Sequence, residues 1–148
     1  MIGLSFRETM SGAYHLSTAP DVDRPMHFTV RASLPRLRSF LTNAVFSIDG
    51  EVSAEGFADH KVLHGTLCLD LFRGRILVYQ FSFEGNDGLP YSFTGRKTLS
   101  EGSIVQAMTL LPGGIHDAQG HAVGRALLRF DVRGDLVKFL RSYRLVRS

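Results

Sequence analysis

The feature that most constrains the fold is a period-two alternation between residues 63 and 99. Apolar side chains occupy every second position around two turn signals, Arg73-Gly74 and Asn86-Asp87-Gly88. The alternating residues are Leu67, Leu69, Leu71, Leu77, Tyr79, Phe81, Phe83, Leu89, Tyr91 and Phe93. Such alternation buries one face of a strand and leaves the other in water, so this stretch predicts three strands of an antiparallel meander.

The same alternation extends in both directions along the chain. It predicts further strands over residues 3–16, Met26–Ala32, Phe46–Ala54, 103–111 and Gly124–Val132. The polar segments between them predict connections over 17–25, 55–62 and the glycine-rich 112–121.

Two segments have helical spacing instead. Ser33 can cap a short helix after the second strand, with Pro35 in its first turn and apolar residues through Leu41. At the C-terminus, Asp135 can cap an amphipathic helix that packs on the outside of the sheet. Its apolar face consists of Leu136, Phe139, Leu140 and Tyr143.

About eight antiparallel strands in sequence order favour a closed up-and-down barrel, because closure removes exposed sheet edges. We therefore predict a mainly β, lipocalin-like barrel over residues 1–148, a single domain carrying the two helices. The alternative is a strongly curved open sheet that grips a long helix, for which the last helix is too short.

The cysteine content and the lack of long apolar runs indicate the cellular compartment. Cys68 is the only cysteine, so no internal disulfide can form and a reducing, cytoplasmic compartment is expected. Arg7 and Glu8 interrupt the N-terminus before an apolar signal region, and no apolar run approaches the roughly 20 residues of a membrane span.

The charge is unevenly distributed. Residues 124–148 hold seven Arg and Lys against two Asp, a net +5, whereas the rest of the chain carries ten basic and twelve acidic residues, a net −2. This basic C-terminal face is either a solvated surface or a site for a protein partner. Nucleic-acid binding is not expected, because the aromatic residues are in phase with the core and not among the arginines.

Several short patterns together resemble a known domain. They are Phe6-x-Glu8-x-Met10-x-Gly12, Leu37-x-x-Phe40-Leu41, Gly65-x-Leu67 followed by Phe72, Tyr79-x-Phe81-x-Phe83, Tyr91-x-Phe93-x-Gly95-x-Lys97, Leu128-x-Phe130 and Leu136-x-x-Phe139-Leu140. In this order they resemble the small accessory domain beside the flavin domain of some glucose–methanol–choline oxidoreductases of the cholesterol-oxidase-like kind. The resemblance implies a barrel-like fold and apolar ligands. It does not carry over oxidase activity, because no flavin domain accompanies these patterns in the sequence.

Two charged residues are unusual because they occupy positions that the period-two alternation otherwise fills with inward-facing apolar residues. Glu8 lies between Phe6 and Met10, and Lys97 follows Phe93 and Gly95. A lone buried charge costs several kcal/mol, so such groups form pairs, titrate or reach water. Either the two residues form a polar centre inside the barrel, or Lys97 extends out of a strand end and Glu8 meets a bulge or an arginine.

Three functions are compatible with these residues. The first is a non-enzymatic barrel that binds a small apolar ligand or serves as accessory partner of a redox enzyme. The predicted lining residues are Phe6, Met10, Tyr79, Phe81, Phe83, Tyr91, Phe93 and Met108. The second is a small isomerase or cyclase in which Glu8 is the general acid or base and Lys97 stabilises an oxyanion. The third is a structural domain with a filled core.

Other chemistry has weak support. No Gly-x-Ser-x-Gly motif occurs, and no dinucleotide-binding glycine motif indicates a cofactor. His116, Asp117 and His121 fall in one glycine-rich loop, where turn formation explains them better than a metal does. We therefore predict no metal and no cofactor.

Overall fold

The computed structural model describes residues 4–34, 44–70, 75–98 and 110–131, and these residues form eight β-strands. The strands are β1 (Leu4–Leu16), β2 (Ala19–Leu34), β3 (Ala44–Ala54), β4 (Ala58–Asp70), β5 (Ile76–Glu84), β6 (Pro90–Thr98), β7 (Leu110–Asp117) and β8 (Ala122–Phe130). They form a closed barrel in sequence order, every strand antiparallel to both neighbours, with β1 paired to β8. The prediction of an eight-stranded up-and-down barrel is confirmed.

The alternation in the sequence determines which side chains face the interior. Along β5, Leu77, Tyr79, Phe81 and Phe83 are buried, whereas Gln80, Ser82 and Glu84 between them are exposed. The inward residues of β1 and β6 follow the same rule. Because a one-residue slip would turn each of these side chains to water, the hydrophobic pattern fixes the register.

The two ends of the barrel differ in their connections. At one end, which we call the turn end, short turns over 17–18, 55–57, 85–89 and 118–121 join the strands. At the other end, the connection end, the strands lead into 35–43, 71–74, 99–109 and 132–148. Those segments lie outside the described residues, and so do the apolar residues of both predicted helices from Pro35 onward. Ser33 and Leu34, expected to open the first helix, are the last residues of β2.

Two predicted connections in the first half of the chain are wrong. Residues 19–25 belong to β2, where Ala19 pairs with Leu16 and Arg24 with Tyr14, so the connection is only two residues long. Residues 58–62 likewise belong to β4. Most side chains in both segments face water, so backbone pairing holds these strand ends and leaves no period-two signal in the sequence.

The predicted loop over 112–121 is also wrong. Strand β7 continues through Pro112, Gly113 and Gly114 to Asp117, and only 118–121 form the turn. Glycine within a strand marks a close approach of a neighbouring group rather than a loop. At the preceding β5–β6 turn, Leu89 is 57% exposed, although it shares the phase of the inward residues.

Candidate functional site

Three aromatic rings fill the middle of the barrel. Phe28 comes from β2, Phe81 from β5 and Phe93 from β6, and we call these residues the aromatic layer. The centroid of the Phe28 ring lies 5.1 Å from that of Phe81 and 5.8 Å from that of Phe93, and the last two rings stack at 5.0 Å. Since β2 and β6 are four strands apart in a ring of eight, the contact of Phe28 with Phe93 crosses the lumen.

Between the aromatic layer and the turn end, further rings are packed together. Phe57, from the turn between β3 and β4, lies 4.7 Å from Tyr91 and 6.4 Å from Phe83, measured between ring centroids. The Tyr91 hydroxyl points to the surface, where it donates a hydrogen bond to Oδ2 of Asp87 at 2.6 Å. Tyr14 is also fixed here, because its hydroxyl donates to the carbonyl oxygen of Glu55 at 2.5 Å.

Among the described residues, two polar side chains lie in the interior between the aromatic layer and the connection end. Glu8 on β1 is only 1% exposed, and Tyr79 on β5 is fully buried. Strands β1 and β5 are opposite each other in the ring, so the two side chains approach from facing walls. Burial raises the pKa of the Tyr79 phenol far above its usual value, and the negative charge of Glu8 raises this pKa further.

The Tyr79 hydroxyl has no hydrogen-bond partner among the residues that the structure describes. Its ring is held at 5.4 Å from Phe28 and 6.3 Å from Phe130, both measured between ring centroids. A buried hydroxyl without a partner loses its hydration without compensation, and most such groups in proteins do have a partner. Tyr79 therefore presents an unused donor to a part of the lumen in which Glu8 is the other buried polar side chain among the described residues.

Lys97, the residue expected opposite Glu8, has a different environment. It is half-buried on β6, where it pairs with Leu77. Within the four described ranges, no ion pair involving Lys97 is found. The charge of Glu8 thus acts on the pKa of the Tyr79 phenol, whereas no ion pair between Glu8 and Lys97 is found among the described residues.

The residues predicted to line one pocket are spread along the barrel axis. Phe6 and Tyr79 lie towards the connection end, whereas Phe83 and Tyr91 pack with Phe57 at the turn end. Phe81 and Phe93 belong to the aromatic layer, and Met10 pairs with Phe28 on the neighbouring strand. Met108 lies outside the described residues.

Two residues that fill the interior are absent from the predicted lining residues. Phe28 lies in the predicted strand Met26–Ala32, in phase with Met26 and Val30, so the alternation already placed it on the apolar face of that strand. Phe57 gave no such signal, because it lies in a turn. The role of Tyr79 as the counterpart of Glu8 depends on which walls face each other across the lumen, and no local pattern reports that.

The outer wall carries several pairs of a histidine with a carboxylate. His60 Nδ1 lies 2.7 Å from Oε1 of Glu51, and His64 pairs with Asp49. In the turn between β7 and β8, Asp117 accepts hydrogen bonds from the amides of Gln119 and His121, so this residue shapes the turn. Over the described ranges, no group of three or more His, Cys, Asp or Glu is placed to hold a metal ion.

The fold and interior define a closed antiparallel β-barrel with a packed aromatic middle and a polar spot on one side of it. No family model, no curated protein and no solved structure matches the chain. The resemblance to an accessory domain of flavin oxidoreductases stays a prediction. Among the described residues, no helix is long and apolar enough to cross a membrane.

Proposed function

We propose that this protein is a non-enzymatic barrel that binds a small, neutral, apolar molecule carrying one oxygen acceptor. The observation that supports it is the buried Tyr79 hydroxyl, a donor without a partner among the described residues. A ligand oxygen that accepts this hydrogen bond would compensate the donor, and apolar walls would hold the rest of the ligand.

The position of the aromatic layer limits where the ligand lies. Phe28 and Phe93 meet across the lumen, so the ligand occupies the interior between this layer and the connection end. The side chains of Phe6, Phe46 and Phe130 contribute apolar surface there. A neutral head group is favoured, since a ligand carboxylate beside Glu8 would be repelled or forced to take a proton.

The enzymatic alternative has less support. An isomerase or cyclase that uses Glu8 and Lys97 needs both groups at one reacting centre, and no contact between them is found in the described ranges. The accessory role beside a redox enzyme rests on the resemblance alone. A cytoplasmic location, expected from the lone Cys68, is part of the proposal.

Native mass spectrometry of the purified protein tests the binding function. We expect an adduct of a few hundred daltons that organic extraction removes and identifies as a neutral lipid-like molecule. Tyr79→Phe should lower its occupancy roughly threefold to tenfold, the effect of one lost hydrogen bond. Tyr14→Phe is the matched control, because that hydroxyl already donates to a backbone carbonyl.

A protein that shows no adduct, and whose thermal stability no neutral lipid alters, would favour the third function. The barrel would then be a structural domain with a filled core, as the packing of the aromatic layer allows. Equal loss of occupancy in Tyr79→Phe and Tyr14→Phe would place the ligand away from the Tyr79 hydroxyl.

A further inference from the structure

The outer wall carries a groove that runs along β8 between its neighbours β1 and β7. Its lining includes Arg125, Leu127 and Arg129 of β8, which point outward at every second position. The groove has a volume of about 400 Å³. Leu127 is 53% exposed, an unusual position for a leucine between two charged residues.

The strand register arranges the residues around the groove in three rows, and each row crosses the barrel wall from β1 through β8 to β7. Arg125 lies between His15 and Gly114, Leu127 between Ala13 and Pro112, and Arg129 between Ser11 and Leu110. The flanking side chains are mostly small or short, so they leave the three central side chains accessible from both sides. The result is a cationic row, an apolar row and a second cationic row.

The cationic rows have little internal compensation. No ion pair of Arg125 or Arg129 is found within the described part of the chain. Of the described carboxylates, Asp23 alone lines the groove, and it lies at one corner, 3.8 Å from Nδ1 of His15. Both arginines are thus available to an outside anion.

We propose that this groove binds an extended peptide segment of a partner protein in which two acidic residues, four positions apart, flank a central apolar residue. In an extended chain, side chains at i, i+2 and i+4 share one face at intervals of about 6.6–6.8 Å, the same interval as along β8. Two carboxylates then meet Arg125 and Arg129, while the apolar side chain covers Leu127.

The chemistry of the groove favours a peptide over other polyanions. Among the described residues that line it, none is a Phe, Tyr or Trp on which a base could stack, and His15 is the one ring present. A lipid surface is usually bound by clusters of about four to eight Lys or Arg, and this groove offers two arginines around an apolar centre. The site lies on the outer wall and does not depend on a ligand in the lumen.

A titration of the ¹⁵N-labelled protein followed by NMR tests the site. The probe is an acetylated and amidated peptide, Ser-Glu-Ser-Leu-Ser-Glu-Ser, and we expect shifts of the backbone amides around Ala13 and Leu127. Two control peptides replace both Glu with Gln, or Leu with Ser. Each control should bind more weakly, and binding of the acidic peptide should weaken several-fold with added salt, because exposed charges are screened.

Variants of Arg125, Leu127 and Arg129 complete the test, because these three residues are exposed and lie outside the core. Arg125→Gln or Arg129→Gln should weaken peptide binding about twofold to fivefold, the effect of one exposed ion pair, and Leu127→Ser should also weaken it. Lys61→Gln is the charge-matched control, since β4 is on the opposite wall from β8.

Three results would overturn the proposal. One is that the Gln peptide shifts the same amides as strongly as the acidic peptide does. Another is that Lys61→Gln weakens binding as much as Arg125→Gln. The third is that phosphatidylserine vesicles or a single-stranded oligonucleotide bind more tightly than the peptide and lose affinity in the same arginine variants.

Discussion

Gly113 on β7 lies directly against the ring of Phe93 on β6, so that a Cβ added to Gly113 would come within 2.4 Å of Cζ of Phe93. The ring has no room to retreat, because Phe93 is fully buried and stacks on Phe81 at 5.0 Å. A glycine at this position in the strand therefore permits the aromatic layer to close the lumen.

Gly113→Ala should destabilise the barrel by about 1–3 kcal/mol, the usual cost of overpacking a core. Urea denaturation measures the free energy of unfolding. Gly114→Ala is the control, because its Cβ would meet only the ring of the half-buried His116, at 3.0 Å. Equal losses in the two variants would show that backbone conformation, and not the Phe93 contact, requires glycine here.

The sequence predicted the barrel wherever one face of a strand is buried. In β5, four inward apolar residues alternate with outward ones. The sequence correctly predicted both this strand and which of its side chains face the interior. In β7, Gly113 lacks the side chain that would signal burial, so the glycine-rich sequence predicts a loop where the structure has a strand. In residues 19–25 of β2, both faces meet water, so the alternation that identifies a strand is absent.

The candidate site was only partly predictable for a related reason. Glu8 shares the phase of Phe6 and Met10, and the alternation correctly indicated that it is buried. Its neighbour across the lumen depends on strand tilt and stagger, which set the heights at which opposite walls meet. Tyr79 occupies that position, and a local pattern along either strand could not show it.

The contact of Phe28 with Phe93 leads to a second prediction. Phe28→Ala should cost about 3–5 kcal/mol in the free energy of unfolding, because it removes a fully buried ring that touches three others. Leu127→Ala, on the exposed outer wall, should change stability by less than about 0.5 kcal/mol. A small loss for Phe28→Ala would mean that the middle of the barrel is loosely packed and can admit a ligand.

The carboxyl group of Asp87, in the hairpin between β5 and β6, should make the stability of the barrel depend on pH. Hydrogen bonds from the Tyr91 hydroxyl and from the amide of Leu89 lower the pKa of Asp87. A carboxyl group whose pKa is lower in the folded state stabilises the fold above its unfolded pKa of about 3.9 and loses this contribution as the pH falls through its folded pKa.

Tyr91→Phe removes the largest cause of that lowered pKa. The variant should therefore lose less stability than the wild type between about pH 5 and about pH 2. Thermal unfolding measured across this range checks it. Tyr14→Phe should leave the dependence unchanged, because its hydroxyl donates to a carbonyl and not to a carboxylate. Parallel curves for Tyr91→Phe and the wild type would show that Asp87 does not titrate through this hydrogen bond.

The last prediction compares two buried tyrosines whose hydroxyl groups have opposite environments. In ligand-free protein, obtained by extraction under denaturing conditions and refolding, Tyr79→Phe should raise the free energy of unfolding by about 1 kcal/mol, since it removes a buried donor without a partner. Tyr14→Phe should lower it by about 0.5–1.5 kcal/mol, because it breaks a hydrogen bond to the Glu55 carbonyl.

Bound ligand should reverse the sign of the stability change caused by Tyr79→Phe, but not the sign of the change caused by Tyr14→Phe. With the extracted molecule restored in excess, the Tyr79 hydroxyl gains an acceptor, and the phenylalanine variant should then be the less stable protein. Chemical denaturation of both variants, with and without the ligand, gives the four differences required. A Tyr79→Phe variant that is less stable in both states would mean that the hydroxyl already has an acceptor within the protein, and the lumen would then have no free donor to orient a ligand.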